Sequence, residues 1–354
     1  MKAARLHAVG DLRLADEPVP QPGPGDSLVR VTAVGICGSD LHWWGEAGIG
    51  DAVLTRPLVL GHEAAGVIED GPRRGERVAI DPAIWCGTCR PCLDGYRNLC
   101  LRIRFAGHGG QDGAMREFMA WPDHLLHRLP DSLTDADGAV LEPLGVALHA
   151  LDLGHVRLGA TAVVAGCGPI GLLLIQALRA AGAGLVTAFD PLPHRRSAAT
   201  RFGAAAAVDP TGLVTPGQLA GPAGAAGTAG TAGTAGTAGV TGEGADVAFE
   251  MAGTDEAVRL AIAAVRPGGR VVLGGIPASD QTTFQASAAR RKGLTIAMVR
   301  RMNDAYPRAI ALAAGGQVDL APLVTHRFGL AEAPAAMAAA AARTGLKVIV
   351  GPAG

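Results

Sequence analysis

Neither sign of charge predominates in this chain: 31 Lys and Arg stand against 32 Asp and Glu, a formal net charge of −1. A near-neutral protein exerts no bulk attraction on nucleic acid or on an anionic bilayer, so neither is expected as a partner. The N-terminal stretch MKAARLHAVGDLRLADEP lacks the continuous apolar run of a signal-peptide core, and a cytoplasmic location is expected. A membrane-length apolar run is missing as well. The segment from Leu158 to Leu178 carries no charge, but Gly159, Gly166, Gly168, Pro169 and Gly171 interrupt it. It reads as strand, glycine turn and helix rather than as a membrane span. The cysteines do not form a disulfide framework either. Four of the six fall between 86 and 100, too clustered to staple a large fold, and without a secretion signal such spacing points to metal.

What is present suggests two domains, for which 354 residues suffice. Residues 1 to about 140 hold short Val/Ile/Leu runs punctuated by Gly and Pro, such as SLVRVTAVG and ERVAIDPAIW, the pattern of a β-rich domain with many turns. From Thr161 the runs alternate: TAVVAG is strand-length, GLLLIQALRAAG helix-length and LVTAFD strand-length again. That alternation predicts a doubly wound parallel α/β sheet. The tract 221–239, with TAG four times in succession, reads as a flexible insertion, since Gly and Ala offer little apolar area to offset ordering entropy.

Cys86, Cys89, Cys92 and Cys100 follow the spacing C-x2-C-x2-C-x7-C. Four thiolates close a tetrahedral shell around zinc and leave no open position, which makes such a site structural. An iron–sulfur cluster and a nucleic-acid-binding zinc ribbon are the competing readings, the latter drawing on Arg90, Arg97, Arg102 and Arg104. Zinc is preferred because the cluster is a small insert within a larger, enzyme-like chain.

A second ligand set is dispersed. GICGSDLHWW holds Cys37, Ser39, Asp40 and His42; VLGHEAAG holds His62 and Glu63; LEPLGVALHA holds Glu142. Mixed S, N and O donors suit a catalytic zinc that keeps one position open. Adjacent residues on a regular strand face opposite sides, so His62 and Glu63 can both ligate only if the backbone at Gly61 is irregular. Otherwise Glu142 or water completes the sphere.

VVAGCGPIG contains G-x-G-x-x-G as Gly166, Gly168 and Gly171, between a strand-like and a helix-like run. The spacing suits a tight turn that brings backbone close to a pyrophosphate at a helix N-terminus. Asp190 follows 19 residues after Gly171, where a carboxylate binds ribose hydroxyls and repels a 2′-phosphate, favouring NAD over NADP. Arg195 nearby works the other way.

Taken together, these segments resemble the zinc-containing medium-chain alcohol dehydrogenases nearly end to end, and within them the polyol and sugar-acid branch. PLVTHRF at 322–328 is similar to sorbitol dehydrogenases, and RFAGHGGQDGAMREF is closer to L-idonate 5-dehydrogenases. The resemblance implies a Rossmann sheet at 146–284 and a GroES-like catalytic domain built from 1–145 and 285–354. It implies catalytic zinc at Cys37, His62 and Glu63, with Glu142 beside it or entering the shell, and a second, structural zinc. Ser39 and His42 match the family's proton relay; Ile170, Asp190, Arg195, Gly274, Gly275 and Ile276 match its NAD contacts. Arg301 aligns with an arginine near the polyol site, while Trp43 stands where that branch commonly has tyrosine. A homo-oligomer is implied, a tetramer before a dimer. The expected reaction is oxidation of a secondary alcohol on a polyol or sugar acid. L-threonine 3-dehydrogenase is the nearest enzymatic rival, and a non-enzymatic zinc module is the rival outside catalysis.

Overall fold

The computed structural model describes residues 1–211 and 243–351; the TAG tract at 221–239 lies outside them. The described chain divides into one unit of Met1–Gly145 with Arg301–Gly354 and a second of Val146–Arg300.

In the first unit, strand Asp26–Gly35 is the hub. Its alternating pattern buries Val29, Val31 and Ala33, as period-2 side-chain alternation requires, and Val34 is buried too, beyond a register shift between Val31 and Ala33. It pairs antiparallel with Glu63–Ile68 on one side, and the C-terminal strand Lys347–Gly351 meets its end through Ile349↔Gly35 and Val350↔Val34. That pairing is why residues after 301 rejoin the N-terminal part of the chain. Around this hub a seven-stranded sheet extends through Arg77–Ile80 and Leu126–Arg128 one way and Val324–Gly329 the other, with Phe118–Pro122 also on the hub strand. The core behind it joins Leu58, Leu60, Trp121 and Met115 to Met337 of the C-terminal helix Ala333–Ala341.

In the second unit, six strands form a single parallel sheet ordered 3-2-1-4-5-6 by their appearance: Thr161–Ala165, Leu185–Phe189, Ala206–Val208, Ala245–Glu250, Val265–Leu273 and Thr295–Met298. The central strands are buried on both faces, which is why TAVVA and LVTAF read as apolar runs without alternation. This is the doubly wound architecture, with a strand-order reversal at Thr161–Ala165 where nucleotides bind in such sheets.

One expectation changes and one is met. The second boundary falls at 301 rather than 285, because Thr295–Met298 hydrogen-bonds to Val265–Leu273 and belongs to the six-stranded sheet. The uncharged stretch from Leu158 resolves into strand Thr161–Ala165, a glycine turn and helix Pro169–Ala180. Among the described residues no helix is long and apolar enough to cross a membrane.

Candidate metal centres and nucleotide site

Cys37 ends the turn after the hub strand and N-caps helix Gly38–Glu46. Gly61 takes φ +93°, and a Cβ there would lie 2.7 Å from Val34 Cγ1. This backbone kink, just before strand Glu63–Ile68 begins, supplies the irregularity that adjacent ligands at 62 and 63 demand. The ligand atoms of Cys37, His62 and Glu63 all lie within 4.8 Å of one another. One sulfur, one nitrogen and one oxygen so placed fit zinc with room for a further ligand.

Asp40, fully buried, organises this set. One carboxylate oxygen accepts from the Cys37 N–H at 2.9 Å; the other accepts from Gly61 N–H at 3.2 Å and stands 3.5 Å from His62 Nδ1. A carboxylate behind a ligating imidazole fixes its ring orientation and leaves the other nitrogen for the metal. Burial works against charge on His62, yet Asp40 raises its pKa well above the ordinary imidazole value, with Cys37 adding to the effect. Ser39 Oγ lies 3.3 Å from His62 Nε2. His42, one turn further along the same helix, places Nδ1 3.2 Å from Glu46 Oε1.

Glu63 is wholly buried, and the Lys347 ammonium donates to both its oxygens at 2.8 and 2.6 Å and to the Ile36 carbonyl at 3.0 Å. A Cβ on Gly35 would lie 2.0 Å from Glu63 Oε2, so the carboxylate passes through space that only glycine leaves. Glu142 precedes Pro143 inside helix Asp135–Gly154 and is buried; burial pushes its carboxyl up to about 7. It is absent from the converging trio, whose oxygen comes from Glu63. Gly35 and Lys347 are the site residues that sequence reasoning missed; Asp40, named there with the second ligand set, stands behind His62 and outside the converging trio.

Arg301 adopts φ +55°, a left-handed conformation that costs a non-glycine residue energy. Its guanidinium lies 4.1 Å above the Phe105 ring, which in turn lies 5.2 Å from the His62 ring. Trp43 is 2% exposed and packs edge-on to His108 within the core.

The four sulfurs of Cys86, Cys89, Cys92 and Cys100 also come within 4.8 Å of one another. Backbone N–H donors from Cys86 and Arg102 reach Cys100 Sγ at 3.3 and 3.4 Å, and the Thr88 backbone N–H helps bring the Cys86 thiol down to about 5. Burial and the neighbouring Cys89 push the Cys92 thiol up to about 12, so it is the converging sulfurs and the preformed N–H···S donors that fit a thiolate-binding metal. All six cysteines are free of disulfides. Three of the arginines that would serve a nucleic-acid ribbon are engaged: Arg90 with Asp94, Arg97 with Asp304 and over Trp85, Arg102 with Cys86 Sγ.

In the second unit Gly166 takes φ +100°, Gly168 N-caps helix Pro169–Ala180, and a Cβ on Gly171 would lie 1.9 Å from the Gly166 carbonyl. A Cβ on Gly168 would meet only Arg195 Nη1, at 3.9 Å, leaving the helix N-terminus open to a phosphate. Ile170 follows in the first turn of that helix. Asp190 follows strand Leu185–Phe189; its carboxylate accepts from Cys167 N–H at 2.8 Å and Leu192 N–H at 2.9 Å, with Arg195 3.9 Å away. Gly274, Gly275 and Ile276 form the turn after Val265–Leu273, and Ile276 is 47% exposed. These residues fit a dinucleotide.

Comparison with known proteins agrees with this architecture. Residues 23–131 match the alcohol dehydrogenase GroES-like domain, and residues 169–315 match the zinc-binding dehydrogenase family. The chain is 35% identical to the probable D-xylulose reductase A of Arthroderma otae, covering 98% of this chain and 95% of that protein. It is also 35% identical to the sorbitol dehydrogenase of Macaca fascicularis, covering 98% and 94%. Among solved structures, a zinc-binding dehydrogenase of Sinorhizobium meliloti bound to NADP superposes with TM-score 0.87 at 32% identity, covering 99% of both chains. L-Idonate 5-dehydrogenase of Escherichia coli shares the fold, with TM-score 0.87 at 24% identity over 99% and 97%. An alcohol dehydrogenase of Escherichia coli complexed with NADH gives TM-score 0.87 at 26% identity over 99% of both. The chain belongs to the zinc-binding alcohol dehydrogenase family, in its polyol branch. It is an oxidoreductase acting on CH–OH donors.

Proposed function

We propose that this enzyme oxidises a secondary alcohol of a polyol to the ketone with NAD, using one catalytic and one structural zinc per chain. The observation that carries the reading is the convergence of Cys37, His62 and Glu63 within 4.8 Å, with the Ser39 hydroxyl 3.3 Å from His62. Cys37, His62 and Glu63 would hold the zinc, which when bound acidifies the alcohol, while nicotinamide takes the hydride. Ser39 Oγ accepts the alcohol proton and passes its own towards His42, one turn along the helix. Glu46, 3.2 Å from His42 Nδ1, stabilises the imidazolium as it forms. Asp40 holds the His62 ring still during this transfer.

Asp190 supports NAD over NADP, because an added 2′-phosphate would meet its carboxylate, and Arg195 is drawn towards that same carboxylate at 3.9 Å. The sorbitol dehydrogenase and xylulose reductase relatives favour a polyol over L-threonine. A sugar acid such as L-idonate is the second substrate class, favoured by the guanidinium of Arg301 one ring away from His62. Two thiol-containing ligand sets suit a reducing compartment such as the cytoplasm. The family resemblance favours a homo-oligomer, a tetramer before a dimer.

The test is cofactor reduction with D-sorbitol, xylitol, L-idonate, L-threonine and ethanol, each with NAD and NADP, beside a zinc count and light scattering. Polyol turnover with NAD and two zincs per chain is expected. Preference for L-threonine, or activity confined to NADP, overturns the substrate or the cofactor assignment respectively.

A further inference from the structure

Glu250 ends strand Ala245–Glu250 and is 1% exposed, yet it takes part in none of the chemistry described above. Its side chain turns back on the surrounding backbone. Oε1 accepts from the N–H groups of Ala252 at 2.7 Å and Gly253 at 2.6 Å, and Oε2 accepts from Gly275 N–H at 3.3 Å. The Glu250 carbonyl accepts from Gly274 and Gly275 as well, at 2.8 and 3.1 Å. One residue thus ties together two loops that share no strand or helix.

Those loops touch through backbone. A Cβ on Gly275 would lie 2.0 Å from Gly253 N, and one on Gly253, which takes φ +74°, would lie 2.4 Å from the Ile276 carbonyl. The segment 251–253 meets the phosphate motif on its other side. Met251 N–H donates to the Ala165 carbonyl at 2.7 Å, and a Cβ on Gly166 would lie 2.8 Å from Ala252 N. Residues 251–253 therefore form a spacer between the first glycine of G-x-G-x-x-G and the Gly274–Ile276 turn. Its thickness is fixed by glycines on both sides and by one carboxylate.

We propose that Glu250 is a positioning residue of the dinucleotide site, clamping this spacer so that the Gly274–Ile276 turn is held at a set distance from the phosphate loop. The proposal rests on the dinucleotide reading of the two loops. A carboxylate is required because it presents acceptors in both directions. A glutamine has one acceptor oxygen, and its NH₂ would confront the N–H groups on the other side. With two bonds of 2.6 and 2.7 Å against one of 3.3 Å, the oxygen of Glu250→Gln stays with Ala252 and Gly253, and the Gly275 N–H faces the amide NH₂, keeping only its bond to the Glu250 carbonyl. The phosphate half of the site keeps its geometry while the nicotinamide half loosens.

The test compares NADH with ADP-ribose, which lacks the nicotinamide, by calorimetric titration of the full-length zinc-loaded enzyme. In Glu250→Gln the Kd for NADH is expected to rise on the order of tenfold, the loss of a hydrogen bond to a charged group. The Kd for ADP-ribose should change by less than about twofold, and kcat should fall more than KM for the alcohol changes. Proportional weakening of both ligands, or of neither, refutes the clamp. Should Glu250→Gln fail to fold, Gly253→Ala supplies the same test. It leaves the carboxylate in place and pushes on the Ile276 carbonyl, and the same selective loss of NADH is expected. Wild-type protein that binds neither NADH nor ADP-ribose would remove the dinucleotide reading, and the clamp with it. Wild type that binds both, beside a variant unchanged in both, removes the clamp alone.

Discussion

Lys347→Met should weaken the metal-free protein and tighten its hold on zinc. Glu63 and Lys347 form a buried pair at 0% and 2% side-chain exposure, with the ammonium 2.6 Å from the carboxylate. Removing one partner of such a pair leaves an uncompensated buried charge, on the order of 3–5 kcal/mol. In the first unit that amounts to a drop of roughly ten degrees in Tm. Once a metal cation sits on Glu63 the carboxylate is compensated again. What then remains lost is the hydrogen bond to the Ile36 carbonyl, about 1 kcal/mol. The difference, about 2–4 kcal/mol, must appear as tighter zinc binding by linkage, at least about 30-fold. Competition with a chromophoric chelator measures it, with the four-cysteine zinc counted separately, beside melts of the chelated and loaded forms. If Glu63 is the ligand, the gain disappears when Lys347→Met is made together with Glu63→Gln. Equal destabilisation of both forms, or an unchanged zinc affinity, would refute the reasoning and return Glu142 as the oxygen donor.

Gly35→Ala places a Cβ 2.0 Å from Glu63 Oε2, so the purified variant should carry one zinc per chain, on the cysteine cluster, with activity lost; full zinc and full turnover would count against the Glu63 assignment. Asp81, whose carboxyl accepts from Ala83 N–H at 3.0 Å, is pushed up to about 7 by the packing around it. Its unfolded value lies near 4, so the native state holds the extra proton between pH 4 and 7. Stability from this group is fully present below about pH 4 and is lost as pH rises through 7, by at most about 4 kcal/mol and less to the extent that Asp81 stays partly exposed. Urea unfolding at pH 5 and pH 8 should show a smaller decline for Asp81→Asn than for wild type; parallel declines would sink the assignment.

How much of this was legible in the sequence depended on distance along the chain. Cys86, Cys89, Cys92 and Cys100 fall within one short loop, so their spacing carries nearly all the geometry. The same holds for Gly166, Gly168 and Gly171, which one turn brings together. The 285 boundary failed because Thr295–Met298 is an edge strand with intermediate exposure, and nothing in RKGLTIAMVRR distinguishes an added sixth strand from the start of a new domain. Glu250 was invisible for a related reason: its bonds to Ala252 and Gly253 are local, but its reach to Gly275 exists only once two parallel strands lie side by side.

The competition between Glu63 and Glu142 shows the limit most clearly. Both are carboxylates beside glycine- or proline-bearing segments, and nothing local separates them. They are separated by the pairing of Ile349 with Gly35, which carries Lys347 across 284 positions to Glu63. That contact aligns the Glu63 carboxylate through both of its oxygens, and the missing side chain at Gly35 makes room for it. Glu142 has a higher pKa through burial, with the negative charge of Glu63 among the groups that raise it. A protonated carboxyl is a poor metal ligand and a ready hydrogen-bond donor. The two glutamates therefore differ in their partners before any metal arrives, and the difference is made by a lysine that no ligand motif contains.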